Sequence, residues 1–142
     1  MKKAFALILA LSLLIALPAC GSSPAGYDTP PEPPDLTGEW KQVGGNSEDT
    51  WQSATITADY IEVYWVSDNG DTKSLYWAGS FTAPTSADEP YTWESANDTG
   101  KTSMALLAST AESKTFTYEN GQIVYEVTAL GTTTTVRLEK IS

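Results

Sequence analysis

Thr115-Phe116-Thr117-Tyr118-Glu119-Asn120-Gly121-Gln122-Ile123-Val124-Tyr125-Glu126-Val127-Thr128-Ala129 is the stretch that decides the fold. Asn-Gly between two β-rich arms marks a type I′ hairpin turn, because both central residues of that turn take positive φ. Along the second arm Ile123, Tyr125 and Val127 go to one face and Glu126 and Thr128 to the other. That period of two is the mark of a half-buried strand.

The same rhythm extends in both directions. Downstream, Leu130-Gly131 turns into a strand over 133–141, with Val136 and Leu138 inward and Arg137 and Glu139 outward or capping an end. Upstream, strands are expected at 39–43, 52–57, 60–66, 73–82, 91–95 and 102–108, separated by turn residues about every ten positions. Within 60–66, Ile61, Val63 and Trp65 face inward, and Glu62 and Tyr64 outward. Within 73–82, Leu75, Trp77, Gly79 and Phe81 share one face and Tyr76, Ala78 and Ser80 the other, with Gly79 the place for a bend. The 102–108 stretch fits a helical turn as well as a strand, since Met104-Ala105-Leu106-Leu107-Ala108 satisfies either period. Eight or nine sequential antiparallel strands predict an all-β domain: a single small up-and-down β-barrel, which removes exposed edges, with a β-sandwich as the alternative.

Gly38-Glu39-Trp40 opens the first strand and resembles the G-x-W signature of the lipocalin and wider calycin barrels. The resemblance implies that Trp40 closes one end of the barrel and that a basic residue from the last strand packs across its ring. Arg137 holds the matching position. Gly38, Trp40 and Arg137 are therefore expected to be structural, and the resemblance brings no ligand with it.

Ahead of this domain, residues 21–35 carry five prolines and little that is apolar, the composition of an extended spacer. Before the spacer, Leu17-Pro18-Ala19-Cys20 resembles the lipobox of bacterial lipoproteins, in which diacylglycerol is joined to the cysteine thiol and the chain is cut just before it. Lys2 and Lys3 followed by an apolar run over 4–17 give the layout of a secretory signal, too short to span a bilayer. Cys20 is the sole cysteine, so no internal disulfide competes for it. The expected organisation is a lipoprotein signal peptide at 1–19, a lipidated cysteine and Pro-rich tether at 20–35, and the barrel at 36–142. It is similar to that of short surface lipoproteins of Gram-positive bacteria, held by lipid at the extracytoplasmic face of the cell membrane.

Chemistry narrows the functions. The formal charge is −10, and removal of residues 1–19 takes away two lysines and no acids, so nucleic acid is not an expected partner. Histidine is absent, which excludes a His-based triad, and with Cys20 committed to lipid no thiol nucleophile or usual zinc ligand set is left. No pair of carboxylates stands out as a glycosidase pair. Asp68-Asn69-Gly70-Asp71 reads as a hairpin turn and not a calcium loop, which needs six to eight oxygen ligands. No enzyme activity, metal or cofactor is expected. The five tryptophans and seven tyrosines mainly fill the barrel, with Tyr64, Tyr76 and Trp93 as candidate ligand contacts. The expected function is a non-catalytic binding module for a small apolar or aromatic ligand. The alternative is an envelope interaction or structural protein with a filled barrel and an acidic outer surface.

Overall fold

The structure is a computed structural model that describes residues 29–142. The expected signal peptide, Cys20 and most of the expected tether lie outside the described residues. Eight strands follow in order: β1 (Gly38–Val43), β2 (Trp51–Ile56), β3 (Tyr60–Ser67), β4 (Thr72–Ser80), β5 (Tyr91–Ala96), β6 (Ser113–Glu119), β7 (Gln122–Ala129) and β8 (Thr132–Lys140). A 3-10 turn occupies Asp68–Gly70, and one short helix, α1, spans Thr99–Thr102.

All pairings are antiparallel, in the spatial order β4-β3-β2-β1-β8-β7-β6-β5. The chain therefore meanders, and its first and last strands pair, with Trp40 opposite Lys140 and Val43 opposite Arg137. One continuous sheet of this order is a nearly closed up-and-down barrel and sets the sandwich aside. β4 and β5 meet at a single bridge, Gly79 to Asn97. Gly79 makes that approach possible, because a Cβ there would collide with the Ala96 carbonyl, Ser95 Oγ and Trp77 Nε1. The expected bend at Gly79 is thus the point where the seam is drawn shut.

The turn chemistry follows the sequence. Asn120 and Gly121 both have positive φ (52° and 78°), as do Leu130 and Gly131 (51° and 77°), so both closing hairpins use primed-type turns. Inside, Trp40, Trp77, Phe116, Ile61, Ile123 and Leu138 are fully buried. Large aromatics account for much of the core: Trp93 stacks on Phe116 at 5.2 Å and meets Phe81 edge-on at 5.1 Å.

Three expectations are corrected. The 102–108 segment is not a strand: Asp98 caps α1 by accepting the Gly100 N–H, and two turns follow. This segment serves β4 by another route, since Asp98 and Ser109 donate backbone N–H groups to the Ala78 and Tyr76 carbonyls along an otherwise free edge. In β4 itself a bulge sets Val63 opposite Trp77 and Tyr64 opposite Leu75, leaving Tyr76 unpaired between them. The extra residue shifts the alternation, so Tyr76 is buried beside Trp77, and Leu75 goes to the outer face with Tyr64. Finally, Arg137 does not cover Trp40. Strand alternation puts it on the outer surface, where its guanidinium lies 3.8 Å from Glu119. Trp40 instead donates its indole N–H to the Leu36 carbonyl at 2.9 Å and meets the Tyr118 ring edge-on at 6.4 Å.

Trp40→Ala should lower stability by about 3 to 5 kcal/mol, the range for a buried aromatic. Arg137→Ala, at a surface ion pair, should change it by under about 1 kcal/mol. Urea melts of the singles and the double should show additive losses, as expected for side chains without contact. Gly79→Ala should destabilise by more than the few tenths of a kcal/mol typical of a surface change, and amide exchange should rise first at β4 and β5.

Candidate functional site

β6 and β7 keep register only next to their hairpin, at Thr117 to Val124, Tyr118 to Ile123 and Glu119 to Gln122. Beyond Thr117 the two strands part, and the barrel wall has a breach there. The resulting cleft has a volume of about 520 Å³. Its rim is rich in hydroxyls, with Thr115 and Thr117 on the β6 side and Thr128 and Thr135 on the side of β7 and β8. Thr117 shares a hydrogen bond with Thr92 at 3.1 Å, and Thr128 one with Thr133 at 2.9 Å. Val124 supplies apolar surface, and Glu126 contributes a rim carboxylate.

Lys114 and Tyr125 also line the cleft, from inward-facing positions. Lys114 pairs with the fully buried Ser95, whose Oγ accepts the Trp77 indole N–H at 2.9 Å. The Lys114 Nζ reaches across the gap and donates to the Glu126 backbone carbonyl at 2.8 Å, spanning a place where the strand ladder is missing. It lies 5.1 Å from the centre of the Tyr76 ring and 5.8 Å from that of Trp77. Burial pushes its pKa below the ordinary lysine value, and the Glu126 charge opposes that shift. Among the described residues no carboxylate lies within salt-bridge distance of it.

A buried polar group stands behind Lys114. Tyr125 donates its hydroxyl to Gln52 Oε1, and Gln52 takes its own backbone bond from its N–H to Gln42 Oε1 at 2.8 Å. Gln52 is fully buried, and its Nε2 has no partner among the described residues. Burial raises the Tyr125 pKa well above that of free tyrosine, and the nearby Tyr76 adds to the shift. Tyr76, half of whose expected role was to face outward, is raised by burial as well, with a Ser109 hydrogen bond acting against it.

The candidate contacts read from sequence do not converge. Tyr64 lies on the outer face, its hydroxyl 3.2 Å from Glu62 Oε2 and its ring under Lys73. Trp93 is core, stacked between Tyr91 and Phe116, with an unpartnered indole N–H. Of the three, Tyr76 alone comes near the cleft, because of the bulge. Gly38 is half-buried against Ser142, whose carbonyl a side chain there would strike. The residues that sequence reading missed are Lys114 and Gln52. Each was marked by being polar at an inward position, Lys114 two before Phe116 and Gln52 two before Ala54.

Another outer feature is a polar cluster around α1. Lys101 bonds Glu62 at 2.6 Å and lies over the Tyr60 ring, and Tyr60 donates to Asp98 at 2.7 Å. Desolvation first, then the Asp98 carboxylate, pushes the Tyr60 pKa up to about 12.

Tyr125→Phe would strand Gln52 Oε1 in the interior, so it should lower stability by about 1 to 3 kcal/mol. The Tyr125→Phe, Gln52→Leu double variant should lose less than the sum of the singles in a urea double-mutant cycle. The tyrosine shifts also set the alkaline limit. A phenol whose folded pKa is raised stays protonated in the native state while the unfolded chain ionises near pH 10, so stability falls as pH rises from about 10 through the folded values. Absorbance titration at 295 nm should show Tyr60 ionising near pH 12 and Tyr125 only with unfolding.

No protein-family model, curated protein or solved structure matches the chain.

Proposed function

We propose that this protein is a membrane-anchored extracytoplasmic lipoprotein whose barrel is a non-catalytic small-ligand-binding module, with the breach between β6 and β7 as the binding site. The observation that carries this reading is the cleft of about 520 Å³, which exceeds the roughly 300 Å³ at the lower end of small-molecule sites. Its floor holds a cation and a buried tyrosine, groups that give a ligand orientation. The anchor rests on Leu17-Pro18-Ala19-Cys20 and the apolar run before it; two acyl chains on Cys20 would hold the protein stably at a bilayer. The lipocalin resemblance is supported by the position of Gly38 and Trp40 at the start of a strand that pairs with the last one.

A second reading, an envelope interaction or structural protein acting through its acidic exterior, is favoured by the filling of the barrel interior with Trp40, Trp77, Phe116 and Trp93. With the interior so filled, a ligand of the proposed module would sit in the wall of the barrel and not along its axis. The lining also moves the expected ligand from apolar or aromatic toward polar.

Two measurements test the proposal, the first its anchor and the second its binding module. Cys20→Ala, or globomycin treatment of cells, should release the protein from membranes and change its mass; unchanged membrane association and mass would sink the anchor. A thermal-shift panel of acidic, neutral and apolar small molecules on the full mature chain should yield at least one ligand that stabilises by about 2.7 kcal/mol at a hundredfold excess over Kd. Val124→Trp, which fills the cleft, should abolish that response. A response surviving Val124→Trp would move the site elsewhere, and no response from any molecule would favour the interaction protein.

A further inference from the structure

We propose that the cleft binds a small hydroxylated carboxylate, of the sugar-acid class, with its carboxylate against Lys114 Nζ and its hydroxyls along the threonine rim. The inference rests on reading the breach as a ligand site and adds the chemical class. Charge comes first. The chain holds 18 acidic residues and 8 basic ones, yet among the described residues Lys114 sits half-buried with no carboxylate in salt-bridge contact. Of the other barrel cations, Lys101 pairs with Glu62, Arg137 with Glu119 and Lys140 with the Asp35 carbonyl, while Lys41 and Lys73 lie over the Trp51 and Tyr64 rings from exposed positions where solvent serves their charge.

An ammonium carries three donors, and the Glu126 carbonyl takes one of those on Lys114. The Tyr76 and Trp77 rings offset part of the desolvation of that charge by cation–π contact, but they satisfy none of its hydrogen bonds. An incoming carboxylate supplies both acceptors and the missing countercharge, and charge-assisted bonds of this kind are about twice as strong as neutral ones.

Hydroxyls come second. A threonine hydroxyl both donates and accepts, which is what a polyol requires of its neighbours, while the apolar surface of these walls comes mainly from Val124 and the Tyr125 ring. Gln52 gives a further observation. Its Oε1 accepts the Tyr125 hydroxyl and so fixes the Tyr125 side chain, which lines the cleft. Gln52 acts here as a positioning residue through Tyr125. Glu126 opposes an anion from the rim, and it therefore limits affinity.

Calorimetry on the full mature chain in neutral detergent, with D-glucuronate, D-glucose and benzoate as probes, tests the assignment. Glucuronate should bind at least tenfold more tightly than glucose, which lacks the carboxylate, and than benzoate, which lacks the hydroxyls. Its affinity should fall as salt is raised, as an ion contact requires. Lys114→Met should weaken glucuronate binding at least tenfold, Lys114→Arg should keep it within a few fold, and Glu126→Gln should tighten it. Should Lys114→Met fail to fold, the Arg and Gln variants and the salt series still decide. Equal affinity for glucose and glucuronate, tighter binding of benzoate, or indifference to salt would overturn the carboxylate class while leaving the binding module. No heat from any of the three, with a neutral or apolar hit from the thermal-shift panel, would do the same. Silence in both experiments would overturn both readings.

Discussion

The antiparallel pairing of β1 with β8 is the constraint on which the structure depends. Every other strand pair in the sheet joins sequence neighbours, and such pairs form with less loop-closure entropy. β1 and β8 are separated by nearly the whole domain. Their ladder, extended by Glu39 bonding both the Ser142 carbonyl and the Ile141 N–H, converts an open meander into a barrel. Gly38 is part of the same constraint, because the chain end passes where a side chain would stand.

Closing the sheet between its first and last strands moves the two free edges to the middle of the chain, at β4 and β5. Those edges are managed locally. Gly79 lets the strands touch once, and the segment through α1 satisfies the Ala78 and Tyr76 carbonyls that a longer ladder would have used. The parting of β6 from β7 is handled differently. No loop among the described residues covers it; a lysine crosses it from the inside, and a rim of hydroxyls lines it. The barrel thus has one weak seam that is sealed and another that stays open to solvent.

Most of this architecture was legible in the chain. Hairpin turns at Asn120-Gly121 and Leu130-Gly131, and the alternation through Ile123, Tyr125, Val136 and Leu138, specify strand positions and faces directly, because period and turn chemistry are local properties. What could not be read was non-local. The bulge in β4 comes from how that strand meets β3, and it reverses the faces of Leu75 and Tyr76 while leaving the sequence pattern of β4 unbroken. Met104-Ala105-Leu106-Leu107-Ala108 looks like a strand or a helix, and the decision falls to Asp98, a cap tied down by Tyr60 from a distant strand. Arg137 was placed on Trp40 by family resemblance, whereas plain alternation in β8 already assigned it to the surface. The site was the least legible part. A cleft made by strands parting leaves no motif, and its trace was Lys114 and Gln52, polar residues on faces that should be apolar.

The position of β1 also governs how the domain bears load. Described residues 31–35 lead directly into β1, and β1 has neighbours on both sides, with four registered pairs to β2 and four to β8. Tension applied along β1 from its N-terminal side must slide that strand past both neighbours at once, breaking the two ladders together. An edge strand such as β5 could be peeled one hydrogen bond at a time. Lys140 adds a clasp at the entry point by holding the Asp35 carbonyl at 2.9 Å. A barrel loaded through a strand held on both sides, and not through an edge, resists shear at the place where residues 31–35 enter it.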